Sequence, residues 1–396
     1  MTLENYFKSK FKIFKFSKNK FQNNVKFIHA SDLHLGAAQY RNENRSNDFI
    51  RAFQEILELA IEFQVDFILL GGDIFTSLEM LPGKLTKIIK MLMDFKEFTN
   101  NSILIIAIEG NHDIRKFSRG VRFERRGQSW VKLLNSLGLI VLLDMDSEAP
   151  PKEMFTKYNF EKRKGGKIQI KNAVIYGTRY LGEKPISFLS KIRKAIVKNN
   201  NFFNILLQHF GIEGQMENVP GVKTEDIQVL RHRVNYLALG HFHKQFILED
   251  WIYNPGSSEA VSSIDNSFKR GIFLVEISKN FERFNKQVKK IRLKNREYLW
   301  HTIHLNYEIR NKQEFEIFII NKLKSSLKYL DYDIHPSNLH MPLLYLILKG
   351  IPPSKSCKIT EKDLRTKICD TLPIVDVMIY QKYVNSLKTL DNYILA

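Results

Sequence analysis

The stretch Ser102–Asp113, SILIIAIEGNHD, is an apolar run of strand length that ends abruptly in polar residues. Seven residues are too few for a membrane span and suit a buried strand. The glycine at 110 and the Asn111-His112-Asp113 behind it mark the strand's carboxyl end. Outward from this stretch, the same text recurs twice upstream. Val65–Asp73 (VDFILLGGD) and Val25–His34 (VKFIHASDLH) each run apolar and then deliver Gly72-Asp73 or Asp32-Leu33-His34. Between them, Phe49, Phe53, Ile56, Leu57, Ala60 and Ile61 recur at helical spacing, and Pro82 opens a second helix bearing Leu85, Ile88, Ile89 and Leu92. Alternating strands and helices predict a layered α/β sheet, whose functional residues gather at the carboxyl ends of its strands.

Further strands are expected at 168–178, 203–208, 236–240 and 271–277. Residues 146–167 are polar, with Pro150-Pro151 and Gly165-Gly166, and suggest an excursion or hairpin. The pattern restarts as strand 298–308, helix 312–327, strand 343–350, helix 360–371 and strand 375–380, a small βαβαβ domain. The expected division is therefore a basic disordered arm over 1–24, a catalytic domain over 25–278, a basic linker over 279–297 and a smaller domain over 298–396.

Composition narrows the class. The chain has 396 residues, 44% hydrophobic and 26% charged, which excludes a disordered or fibrous protein. Its net charge of +19 points to a polyanion such as nucleic acid. Residues 1–26, 114–126 and 279–296 carry 18 of those charges. Two cysteines, Cys357 and Cys369, make neither a disulfide framework nor a thiolate metal site, and fit a reducing cytoplasm. No apolar run is long enough for a membrane span.

The strand ends carry the chemistry. Five of the eleven histidines (His34, His112, His209, His241 and His243) stand in such positions, beside Asp32, Asp73 and Asn111. Carboxylate, imidazole and amide oxygen together suit borderline-hard divalent metals. Two ions about 3.5–4 Å apart need a shared carboxylate, and Asp73, on the central strand, is the natural bridge. His29 falls within the first strand and reads as core. Asp113 could orient His112 or cap the next turn.

The order D-x-H, G-D, G-N-H-D, a lone His and G-H-x-H resembles the calcineurin-like metallophosphoesterase superfamily over residues 26 to about 275. The texts HASDLHLG (29–36), VDFILLGGDIF (65–75), AIEGNHD (107–113), ALGHFHK (238–244) and YNPGSSE (253–259) resemble the nuclease subunit of the double-strand-break repair complex. Gly72-Asp73-Ile74-Phe75-Thr76 and Gly110-Asn111-His112-Asp113 differ from the G-D-x-V-D-R-G and G-N-H-E texts of protein Ser/Thr phosphatases. The resemblance implies a four-layer α/β/β/α sandwich followed by a smaller α+β capping domain that binds DNA. It implies one metal on Asp32, His34, Asp73 and His243, and a second on Asp73, Asn111, His209 and His241. His112 is then left free as acid or transition-state stabiliser.

The resemblance further implies two divalent ions, usually manganese, exonuclease and endonuclease action on DNA, an SMC-like ABC-type ATPase partner, a homodimer and a cytoplasmic, nucleoid or nuclear place of work. The His that often follows G-D-x-F in that family is Thr76 here, which bears on exonuclease action. Arg119, Arg122, Arg125 and Arg126, in a basic stretch just after Asp113, are expected to contact phosphates, and Phe117, Phe123 and Trp130 are candidates to stack on an unpaired base. Two other readings are a phosphoesterase for a small nucleotide or phosphoprotein, and a DNA-binding scaffold with a vestigial site.

Overall fold

A computed structural model describes residues 7, 9–10, 24–114, 129–182, 185–281, 283–330 and 338–383. Two six-stranded sheets dominate the first of two compact units, which spans residues 1–41 and 45–293. In the first sheet, β1 (Val25–Ala30), β2 (Phe67–Leu70), β3 (Leu104–Ala107) and β4 (Val141–Leu142) run parallel in that order. Two antiparallel strands, β11 (Ile272–Asn280) and then β12 (Arg283–Ile291), extend it beyond β1. The second sheet has the order β5-β6-β7-β8-β10-β9. Its parallel centre is β6 (Ala173–Gly177), β7 (Phe203–His209), β8 (Tyr236–Gly240) and β10 (Ile252–Asn254), with β5 (Lys167–Ile170) and β9 (Phe246–Leu248) antiparallel at the edges.

The layers follow from the side chains. Phe27, Phe67, Leu69 and Ile106 of the first sheet pack with Ile175, Ile205, Leu207 and Tyr236 of the second, all buried. The outer face of the first sheet receives the apolar stripe of α1 (Glu43–Glu62), with Phe53, Ile56, Leu57 and Ala60, and that of α2 (Pro82–Phe98). Val131 and Leu134 of α3 (Trp130–Ser136) join the same layer; its cap Ser129 accepts from the amides of Val131 and Lys132. On the other side, α4 (Ile186–Ala195) and α5 (Thr224–Ile227) cover the second sheet through Leu189, Ile192 and Ile227. The α/β/β/α sandwich is thus as expected. Sheets covered on both faces explain why the strands read as continuous apolar runs rather than alternating ones.

Three expectations need correction. The run 168–178 is not one strand but the hairpin β5–β6, broken at Lys171, which takes φ 52°. The stretch expected as a basic linker over 279–297 is mostly strand. β12 pairs along its whole length with β11, and the unit boundary falls after Leu293. Alternation of Phe284, Lys286 and Val288 with more exposed Arg283, Asn285 and Gln287 is an edge-strand pattern that the high charge obscured. Of the expected disordered arm, Phe7 is fully buried and packs its ring on Phe95 and Phe98 at 6.5 and 5.6 Å, so that residue is docked.

The second unit comprises residues 42–44 and 294–396. Among its described residues three strands, β13 (Tyr298–Leu305), β14 (Leu343–Gly350) and β15 (Asp376–Tyr383), run parallel. Two helices, α6 (Lys312–Ser326) and α7 (Glu361–Thr371), pack on one face through Phe315, Ile319, Leu364 and Ile368. This is the βαβαβ pattern anticipated. Thr360 and Asp363 close a capping box at the start of α7, and Asn311 caps α6.

Candidate metal centre

The carboxyl ends of β1, β2, β3, β7 and β8 converge, so the residues singled out in the sequence meet in one place. Two groups form there: Asp32 with His34 and His243, and Asp73 with His209 and His241, the candidate ligand atoms within each group lying within 4.8 Å of one another. Asn111 connects to the second group. Its side-chain oxygen lies 3.1 Å from His209 Nε2 and 2.9 Å from His241 Nδ1. Asp73 and His209 approach to 3.2 Å. In the first group His34 Nε2 and His243 Nε2 face each other at 3.1 Å, and His243 Nε2 stands 4.0 Å from Asp32.

The backbone is bent to make this possible. Asp32 (φ 52°), His34 (φ 45°), Asp73 (φ 48°) and His241 (φ 86°) all adopt left-handed conformations that cost an L-residue of order 1–3 kcal/mol each. Gly110 lies against Asp73 so closely that a Cβ there would fall 2.2 Å from Asp73 Oδ1. Gly72, at φ 94°, leaves space that a Cβ would take 2.6 Å from His209 Nδ1.

A surrounding set of groups orients the rings. His209 Nδ1 is 2.7 Å from the carbonyl of Gly71, to which it donates, directing Nε2 at Asp73. His243 Nδ1 lies 2.8 Å from Asp265, whose carboxylate also accepts from the amides of Val261 and Ser262. Asp32 accepts from the Ser31 hydroxyl at 2.6 Å and from the amide of His241 at 3.0 Å. Asp265, Ser31 and the Gly71 carbonyl were missed in the sequence, since nothing in their local text marks them. Among the described residues the Asp113 carboxylate makes no hydrogen bond to the His112 ring, and the turn that follows it lies largely outside them. The Asp113 carboxylate accepts from the amides of Gly110, Ile74 and Phe75 at 2.9–3.1 Å and so ties the loop after β2 to the loop after β3. His29 is core, as expected, buried between Tyr236 and the carbonyl of Leu239.

His112 belongs to neither ligand group. Its amide donates to Asp73 at 2.8 Å, and its Nδ1 lies 2.9 Å from the Thr76 carbonyl. That contact fixes the proton on Nδ1 and leaves Nε2 as the exchanging atom on an exposed ring. The ring centre stands 5.0 Å from that of His34. Trp130 donates its indole N–H to the Leu78 carbonyl and packs on the first core, a structural role. Arg119, Arg122, Arg125, Arg126, Phe117 and Phe123 lie outside the described residues.

Electrostatics divide the rings in two. Burial, with the neighbouring imidazoles, lowers His34 to about 3 and His241 to about 4, so both present free lone pairs at neutral pH. Burial works against charge on His209 too, but Asp73 and Asp32 outweigh it and raise the ring to about 9. For Asp73, burial pushes upward while His209 pulls harder, holding the carboxylate well below its ordinary range. Asp32 is raised, chiefly by its burial.

These residues fit a pair of divalent cations. Imidazole nitrogens 3.1 Å apart repel unless a proton or cation lies between them, and His34 Nδ1 is buried without a partner among the described residues. Two buried carboxylates, four imidazoles and an amide oxygen form the donor set of manganese, iron or zinc sites.

The chain is similar to known proteins. Residues 25–245 match the calcineurin-like phosphoesterase family. Proteins named DNA double-strand break repair protein Mre11 are similar. That of Archaeoglobus fulgidus is 29% identical over 240 residues, 59% of this chain and 50% of its own length. That of Saccharolobus solfataricus is 26% identical over 372 residues, 93% of this chain and 84% of its own. The Methanococcus maripaludis protein is 25% identical over 301 residues, covering 74% and 72%. The alignment thus spans only half of the Archaeoglobus relative. Because the family match runs through every residue of both ligand groups, from Asp32 to His243, the chain belongs to the calcineurin-like phosphoesterases.

Proposed function

We propose that this phosphoesterase is a two-metal DNA nuclease of the double-strand-break repair type. The observation that carries the reading is the pair of facing ligand groups with one exposed, non-ligating histidine beside them. Asp32, His34 and His243 would hold one ion, His209, His241 and Asn111 the other, and Asp73 would be shared. Bound there, two divalent ions supply hydroxide at neutral pH and neutralise charge developing on phosphorus. The chain's own residues do the rest. His209 and His243 yield their protons on loading and stay oriented by Gly71 and Asp265. His112, with Nδ1 held by Thr76, carries its transferable proton on Nε2 and delivers it to the leaving 3′-oxygen. A carboxylate brace from Asp113 keeps Asp73 and His112 in register.

Manganese as the working ion, cutting from ends as well as within strands, an SMC-like ATPase partner and a homodimer belong to the same proposal, on the strength of the resemblance. DNA as substrate is supported by the +19 charge and by the repair role in the relatives' names. The second unit, with its own core, is proposed to position the duplex. Among the described residues no helix is long and apolar enough to cross a membrane.

End-labelled duplex and hairpin DNA incubated with Mn²⁺, Mg²⁺ or chelator tests the reading. Cleavage that needs Mn²⁺ and disappears with chelator is expected. Hydrolysis of a small aryl phosphodiester without any DNA cleavage would favour the small-substrate phosphoesterase instead.

A further inference from the structure

The pole opposite the metals carries a second feature that the proposed reaction does not use. A cavity of about 570 Å³ opens where β7 and β8 begin, and Lys198, Arg231, Arg233, Arg283 and Lys286 line it, with Asp250 as the single lining carboxylate among the described residues. β7 enters it at Phe203 and reaches the metal centre at His209, six residues later. At roughly 3.3 Å per residue the two sites are about 20 Å apart.

The cations are held in place rather than merely exposed. The Arg231 guanidinium lies 5.1 Å over the ring of Trp251, itself buried, and the Lys286 amine lies 4.8 Å over Tyr253. Asp250 pairs with Lys286 at 3.5 Å, and Glu249, beside Arg231, accepts from the Gln228 amide and the Trp251 indole. Among the described residues no carboxylate pairs with Lys198, Arg233 or Arg283. Positive charge on an edge strand can serve to deter edge-to-edge pairing, and Arg283 alone could be read so. Lys198, Arg231 and Arg233, however, come from other segments and converge on the same cavity.

We propose that this cavity is an anion site for clustered phosphates, of the size of a nucleotide and separate from the metal centre. Guanidinium groups suit phosphate oxygens because their donors form a planar fork. The phosphates could come from a free nucleotide or from a stretch of nucleic-acid backbone, which share this chemistry.

The test uses the full chain freed of metal by chelator, so that the metal centre cannot bind the probe. Tripolyphosphate, ATP and a single-stranded thymidine oligonucleotide are titrated into wild type, into Arg231→Glu with Arg283→Glu, and into Lys87→Glu with Lys90→Glu. The last pair sits on exposed positions of α2 and matches the change in net charge. Arg233→Gln with Arg283→Gln, which spares the Arg231–Trp251 stack, stands in if the first variant folds poorly. Tripolyphosphate affinity is expected to fall at least tenfold in the cavity variants and to change little in the α2 control. Hydrolysis of a small phosphodiester by the Mn²⁺-loaded cavity variants is expected to stay at wild-type level. ATP binding that the oligonucleotide does not displace identifies a free nucleotide; displacement identifies a backbone. Equal weakening in the cavity and control variants, or no weakening in either, overturns the proposal.

Discussion

On the proposed reading, Asp73 is the residue that the two ions would share. It sits just past the carboxyl end of β2, an inner strand of its sheet, contacts His209 and accepts the amide of His112. Asp73→Ala is expected to lose hydrolysis entirely and to hold fewer than two metal ions, because the cations would face each other with no shared anion. Gly110→Ala should resemble it, since the added methyl falls on the Asp73 carboxylate. His112→Ala separates binding from chemistry. Metal content should stay near wild type while kcat falls about 10²–10⁴-fold, the range for losing a general acid. Loss of an ion in that variant would make His112 a ligand. Protonation gives a further check. The His209 ring is held to about 9 by Asp73, so at pH 7 loading must displace its proton. Metal affinity should therefore rise with pH up to about 9, and calorimetry in buffers of different ionisation enthalpy should register proton release.

At the scale of elements, the loop between β10 and β11 fixes His243 through Asp265. Asp265→Asn should weaken one ion by about 10–100-fold, typical for losing such a supporting carboxylate, and leave the other in place; metal titration with two resolved sites reads this. The strands of the parallel sheets were legible because both their faces are buried and their ends change character within one residue, as at Ala30-Ser31-Asp32 and Leu70-Gly71. All seven ligand candidates and His112 were legible for the same reason. β12 was not, because its solvent-facing Arg and Lys outnumber its inward Phe284 and Val288. Asp265 was not, because its partner is 22 residues away and only the fold brings them together. Residue His29 adds a stability term. Burial lowers it to about 3 from 6.5, so the folded state excludes a proton that the unfolded chain takes up. Its contribution is present above about pH 6.5 and is lost as pH falls towards 3, by up to about 1.4 kcal/mol per pH unit. Urea midpoints of wild type should drop more between pH 7 and pH 4.5 than those of His29→Gln.

For the whole molecule, the first unit holds every proposed ligand and the second has its own core. Removing residues 294–396 should leave two bound metals and hydrolysis of a small aryl phosphodiester, while DNA cleavage drops sharply, because positioning a long polyanion can supply a large part of a rate. Equal loss of both activities in a folded truncation would mean that the second unit completes the catalytic centre.

On the proposed function, two ions share Asp73 and together cut DNA. The most direct measurement of this is the number of Mn²⁺ ions per chain, by emission spectrometry after equilibrium dialysis, read beside cleavage of end-labelled DNA on the same samples. Wild type is expected to hold two ions and cleave, His112→Ala to hold two ions with little cleavage, and Asp73→Ala to hold fewer than two with none. Two ions and full cleavage in Asp73→Ala would contradict this reading.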